Sequence, residues 1–148
     1  MTHVANVISF LAMTSTSSAS AAFAQLEVHY LDRPDGRIAY RVTGDGPLVV
    51  CAPGMGEIAA SFRYTVPALR DAGFRVAVMD LRGHGESDAT FPAYDDVAAG
   101  TDILALIAHL GGPEPVIGNS MAAGAAVWAA SAQPSAVCGL GLPGPFVR

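Results

Sequence analysis

The stretch Val116–Ala126, VIGNSMAAGAA, decides how the rest of the chain is read. A short apolar run leads into Asn119-Ser120, and a run of small residues follows. Those compositions predict a strand, a sharp corner and a helix. At such a corner a serine hydroxyl stands clear of the backbone, provided the residues two before and two after it are small enough to pass each other. Gly118 and Ala122 meet that demand, although a strict G-x-S-x-G pattern would put glycine at 122. A serine in this position is also a common N-cap, its oxygen accepting an N–H of the first helical turn. The stretch alone leaves both roles open.

Working outward, PLVVCAP (47–53), FRVAVMDL (74–81) and AVCGLGL (136–142) are continuous apolar runs of the length and composition of buried parallel strands. LEVHYL and RIAYRVTG flank a Pro-Asp-Gly turn and predict a β-hairpin ahead of them. Helices fit between the strands. One spans about 65–72, with Pro67 in its first turn and Gly73 at its stop. A second starts near Asp95-Asp96, where negative charge suits the helix dipole. Its Ile103, Leu106, Ile107 and Leu110 fall on one face, and Gly111-Gly112-Pro113 ends it. The third is MAAGAAVWAASA, ended by Pro134. A hairpin followed by alternating strands and helices predicts an α/β fold: a mostly parallel sheet flanked by helices, with an N-terminal β-hairpin.

Composition narrows the chemistry. The chain has 148 residues, 51% of them hydrophobic, and a net charge of −5, which argues against a nucleic-acid partner. It has no lysine, which removes phosphate-loop lysines, Schiff bases and Ser–Lys dyads. Cys51 and Cys138 both read as reduced, buried thiols. His3, His29, His84 and His109 have no metal-ligand spacing, so neither metal nor cofactor is expected. No run approaches the ~20 apolar residues of a membrane span. Residues 1–24 are rich in Ser, Thr and Ala. Ala22-Phe23-Ala24 has the form of a signal-peptidase site, yet no Lys or Arg precedes Arg33. The segment is therefore read as a disordered, dispensable extension, with the domain running from 25 to 148. That favours a cytoplasmic location; a signal peptide would make the protein secreted.

The glycine loop after the first parallel strand has two readings. Gly54-Met55-Gly56-Glu57-Ile58-Ala59 matches G-x-G-x-x-A, and Asp80 lies at the end of the next strand, as in a nicotinamide dinucleotide-binding unit. Against it, a hairpin precedes the unit and no helix opens on the glycines. The alternative is an oxyanion loop, in which glycine lets the backbone turn sharply and bring an N–H close to substrate.

The order hairpin, PGMG, DLRGHGESD, GNSMA, each motif at a strand end, resembles the α/β-hydrolase superfamily in its esterase, lipase and perhydrolase-like branch, over about residues 26–148. The resemblance implies that Ser120 is the nucleophile and that the backbone N–H groups of Met55 and Met121 form the oxyanion hole. It implies that Asp80, Arg82, Gly83, Gly85 and Ser87 hold a turn, and that His84 and His109 are structural. The substrate would be a small acyl compound such as an ester, hydrolysed through an acyl-enzyme without a cofactor.

One departure matters. The family's triad continues from Ser to Asp or Glu and then His, but no Asp, Glu or His lies between Met121 and Arg148. The chain therefore reads as the N-terminal part of such a hydrolase, truncated after the sixth strand and inactive alone. A non-catalytic remnant or binding scaffold is the alternative.

Overall fold

The apolar runs become the sheet. In the computed structural model, which describes residues 16–145, six strands form: β1 (His29–Arg33), β2 (Gly36–Thr43), β3 (Leu48–Ala52), β4 (Arg75–Met79), β5 (Glu114–Gly118) and β6 (Val137–Gly141). Their order across the sheet is β1-β2-β4-β3-β5-β6. β1 pairs antiparallel with β2, and β2 with β4; the β4-β3-β5-β6 part is parallel. The hairpin thus forms one edge, and β3, buried along its whole length, lies near the middle.

Side chains of β3 alternate between two apolar layers. Leu48, Val50 and Ala52 face a layer with Ile103, Leu106 and Ala122. Val49 and Cys51 face one with Phe23, Phe62 and Val66. The first layer is roofed by α3 (Asp96–Leu110) and α4 (Met121–Ala132), which pack on each other. Gly100 permits that approach: a Cβ there would lie 2.5 Å from the Trp128 ring and 2.8 Å from the Ala125 carbonyl. Asp95 caps α3 by accepting the Ala98 N–H at 2.8 Å, and Gly111, left-handed at φ 101°, ends it. The second layer is covered by α1 (Thr16–Ala24), the 3₁₀ turn Ala59–Phe62 and α2 (Thr65–Asp71).

One expectation, on the cysteines, needs correction. Residues 16–24 are helix, and Phe23 is only 5% exposed. Phe23 seats its ring against the second layer and under the Arg41 guanidinium, 5.6 Å away. The apolar patch at 4–13 lies outside the described residues. Cys51 is buried, and desolvation pushes its thiol up to about 12. Cys138 is exposed instead, because only one face of β6 is covered among the described residues; Leu140 is exposed on the same side.

Candidate active site

The site forms where β3 and β5 end side by side. Ala52 and Gly118 are register partners, and the Asn119 N–H donates to the Ala52 carbonyl at 3.0 Å. The chain after β5 then turns hard. Ser120 has φ 52° and ψ −116°, and it is the only non-glycine residue with positive φ among the described residues. The position forces Gly118 to be glycine, since a Cβ there would lie 2.3 Å from the Ala122 carbonyl oxygen. Ser120 stands at the start of α4, yet its side chain makes no capping hydrogen bond. Its own N–H donates to the Pro143 carbonyl at 3.2 Å, which ties the corner to the segment after β6.

The loop after β3 faces this corner. A Cβ on Gly54 would sit 3.0 Å from the Ser120 Cβ, so the loop backbone passes directly against the serine. Most N–H groups around the two turns have internal partners. Gly56 donates to His84 Nε2 at 3.0 Å and Glu57 to the Gly54 carbonyl at 3.1 Å; Ala122 and Ala123 donate to the Asn119 and Ser120 carbonyls at 3.0 Å. Among the described residues, the N–H groups of Met55 and Met121 are donated to no such partner. Both side chains line one apolar cavity of about 180 Å³, with Leu81, His84 and Tyr94. Met55 itself is 70% exposed.

Glu57 is the residue that the sequence reading missed. Its Oε2 accepts both the Gly54 N–H and the Asn119 side-chain amide, each at 2.8 Å. The Gly54 hydrogen bond, then that of Asn119, lowers its carboxyl below the ordinary glutamate value. Nothing in the local sequence signals this, because Glu57 and Asn119 meet only through the β3–β5 pairing.

The loop after β4 is a framework. Asp80 is buried; its carboxylate accepts the Ala59 N–H at 2.6 Å and the Glu86 N–H at 3.1 Å. Ser87 accepts from the Ala39 N–H and donates to the Asp80 carbonyl. A Cβ on Gly85 would strike the Asp80 carboxylate at 2.5 Å. Arg82 grips the buried Asp102 with two hydrogen bonds of 2.8 and 2.9 Å, and Arg33 joins at 2.9 Å. In His84, Nδ1 donates to the Arg82 carbonyl at 3.0 Å while Nε2 accepts from Gly56, so both ring nitrogens are engaged. His109 lies on α3, 3.1 Å from the Tyr40 hydroxyl and away from Ser120. These contacts remove the basis of the dinucleotide reading. Asp80 is turned inward onto backbone amides, and the glycine loop runs into a short 3₁₀ turn instead of opening a helix. Among the described residues no cluster of His, Cys, Asp or Glu could hold a metal ion, and no helix is long and apolar enough to cross a membrane.

The sequence pattern of the α/β hydrolase fold family matches residues 47–145. Bifunctional epoxide hydrolase 2 of Rattus norvegicus is 32% identical over 99 residues, which cover 65% of this chain and 18% of that protein. An epoxide hydrolase from an endophytic Streptomyces superposes with a TM-score of 0.72 at 34% identity, over 79% of this chain and 36% of that one. The thioesterase domain from the curacin biosynthetic pathway superposes equally well, TM-score 0.72 at 28% identity, over 79% and 45%. The chain therefore spans less than half the length of each of these proteins.

Proposed function

The chain belongs to the family of the α/β-hydrolase fold, and from that premise we propose that Ser120 is the nucleophile of a hydrolase acting on a small ester or related acyl substrate. The observation that carries the reading is the strained serine whose hydroxyl does not cap its helix. A non-glycine residue at φ 52° costs about 1–3 kcal/mol, and such strain collects at functional positions. An N-cap serine would need neither the strain nor the glycine at 118.

The reaction follows from the groups at hand. The Ser120 oxygen attacks the acyl carbon, the carbonyl electron pair moves onto its oxygen, and the N–H groups of Met55 and Met121 receive that charge. Each such donor contributes roughly 3 kcal/mol in the transition state. Collapse expels the alcohol or thiol, which takes up the proton lost from the Ser120 hydroxyl, and leaves an ester on Ser120; water attacks that ester's carbonyl, releasing the acid and restoring the hydroxyl.

Chemistry favours an acyl substrate over an epoxide, despite the names of several relatives. A serine oxygen that opens an epoxide becomes an alkyl ether. An ether offers water no carbonyl to attack, so the enzyme would not be regenerated. The thioesterase domain among the similar structures supports the acyl reading. The reaction also needs a proton acceptor: among the described residues His84 has both nitrogens engaged, and residues 121–148 contain no Asp, Glu or His.

Treatment with a fluorophosphonate tests the proposal. The expected result is a covalent adduct on Ser120, found by peptide mass spectrometry and lost in Ser120→Ala. Labelling of other residues alone would favour the non-catalytic scaffold. An adduct with styrene oxide but none with the fluorophosphonate would overturn the preference for acyl substrates.

A further inference from the structure

We propose that Glu57 is a positioning residue that clasps the loop bearing the Met55 N–H to the turn bearing Ser120. The inference rests on the reading of Ser120 as nucleophile. Its basis is the placement of two donors on one oxygen. Glu57 Oε2 takes the N–H of Gly54, the residue before Met55, and the side-chain amide of Asn119, the residue before Ser120, each at 2.8 Å. The two hydrogen bonds therefore fix the separation of the two backbone stretches that must close around one oxyanion. The Glu57 N–H donates back to the Gly54 carbonyl at 3.1 Å, which makes the loop a closed turn. Gly54 lets the clasp draw tight: a Cβ there would lie 3.0 Å from the Ser120 Cβ and 3.2 Å from Glu57 Oε2.

An ionised carboxylate suits the task. It is acceptor-only, with lone pairs enough for both donors, and charge-assisted bonds are about twice as strong as neutral ones. Among the described residues Glu57 forms no ion pair. Two titratable groups meet the same segment from the β4 side: His84, which holds Gly56, and Asp80, which holds the Ala59 N–H. The loop is thus pinned at Gly54 and at Gly56, on either side of Met55. Oxyanion donors act only when held at the right distance, and a shift of about 1 Å costs on the order of a hundredfold in rate.

The test has two arms, both on the 148-residue chain. In the first, the ¹³C,¹⁵N-labelled protein is titrated from pH 7 to pH 3 by NMR. The Glu57 carboxyl carbon, the Gly54 amide and the Asn119 side-chain amide should move with one shared midpoint, below the ordinary glutamate range. In Glu57→Gln neither amide should titrate with that midpoint. Gly54 and Asn119 signals that ignore Glu57 would overturn the clasp. In the second arm, acetylation of Ser120 by p-nitrophenyl acetate is timed by mass spectrometry. Glu57→Ala should slow it about a hundredfold. Glu57→Gln, whose amide oxygen accepts from both donors at every pH, should recover to within about tenfold of the parent and lose the parent's fall in rate at acid pH. Equal rates in all three proteins would overturn the positioning role. A shared NMR midpoint with acetyl groups found only on residues other than Ser120 would uphold the clasp and sink the nucleophile reading.

Discussion

At the scale of single residues, Ser120 trades stability for exposure of its hydroxyl. Its backbone conformation suits glycine, so Ser120→Gly should raise the unfolding free energy by about 1 kcal/mol while abolishing fluorophosphonate labelling. Denaturant melts of the pair check this; an unchanged or lower midpoint would argue that the turn is unstrained. Gly118→Ala should do the reverse, costing about 3 kcal/mol, because its methyl would drive into the Ala122 carbonyl. The cysteines make an independent test of burial. With a thiol raised to about 12 and no solvent access, Cys51 should resist an aromatic disulfide reagent at pH 8, whereas Cys138 reacts within seconds to minutes. Two equally fast thiols would show that the sheet opens. Glu57 adds a pH dependence of known sign: its folded carboxyl titrates below its unfolded value. Its contribution is therefore complete above the ordinary glutamate range and lost as pH falls through the lowered value.

At the scale of elements, the polar joint Arg33–Asp102–Arg82 ties the hairpin and the loop after β4 to α3. Removing the carboxylate would leave two guanidinium groups facing each other in a buried setting. Asp102→Ala should therefore cost about 3–5 kcal/mol, measurable as a shift in urea midpoint. Phe23→Ala should cost about 3 kcal/mol, since it opens a hole beneath α1; a loss below ~0.5 kcal/mol would support the reading of this segment as dispensable. The two joints also mark how far sequence reasoning reaches. Strands β3 to β6 were legible because buried parallel strands need apolar residues on both faces, and the runs around Val50, Ala77, Ile117 and Val137 are unbroken. The corner at Ser120 was legible because sterics leave few options at 118 and 122. Phe23 was not, because its helix is mostly Ala and Ser and has no apolar stripe to reveal a buried side. Asp102 and Glu57 were not, because their partners are distant in sequence and a lone carboxylate carries no mark of burial. Cys138 misled for the opposite reason: its run looks like a two-faced strand, and the neighbours that decide its exposure cannot be read locally.

At the scale of the whole molecule, the proposed nucleophile and oxyanion donors sit at the ends of neighbouring strands, while His84, among the described residues, has both ring nitrogens engaged elsewhere. Without a base the serine hydroxyl is a poor nucleophile, and residual catalysis over water should be about 10³ or less. The 148-residue chain should accordingly acetylate slowly on Ser120 and turn over p-nitrophenyl acetate near the buffer rate. Rapid turnover lost in Ser120→Ala would mean that His84 leaves Gly56 to act as the base. The strand order has a further effect, on timing. β3 is flanked in the sheet by β4 and β5, and β5 is separated from it in the chain by the whole of β4 and α3. On a ribosome adding about 5–20 residues per second, β3 emerges several seconds before β5. Throughout that interval the apolar strand LVVCA has at least one unpaired edge. The glycine loop at its end has nothing to close on. Nascent chains should thus be most vulnerable to aggregation and to chaperone capture while α3 is being synthesised, and become protease-resistant only once Gly118 has met Ala52.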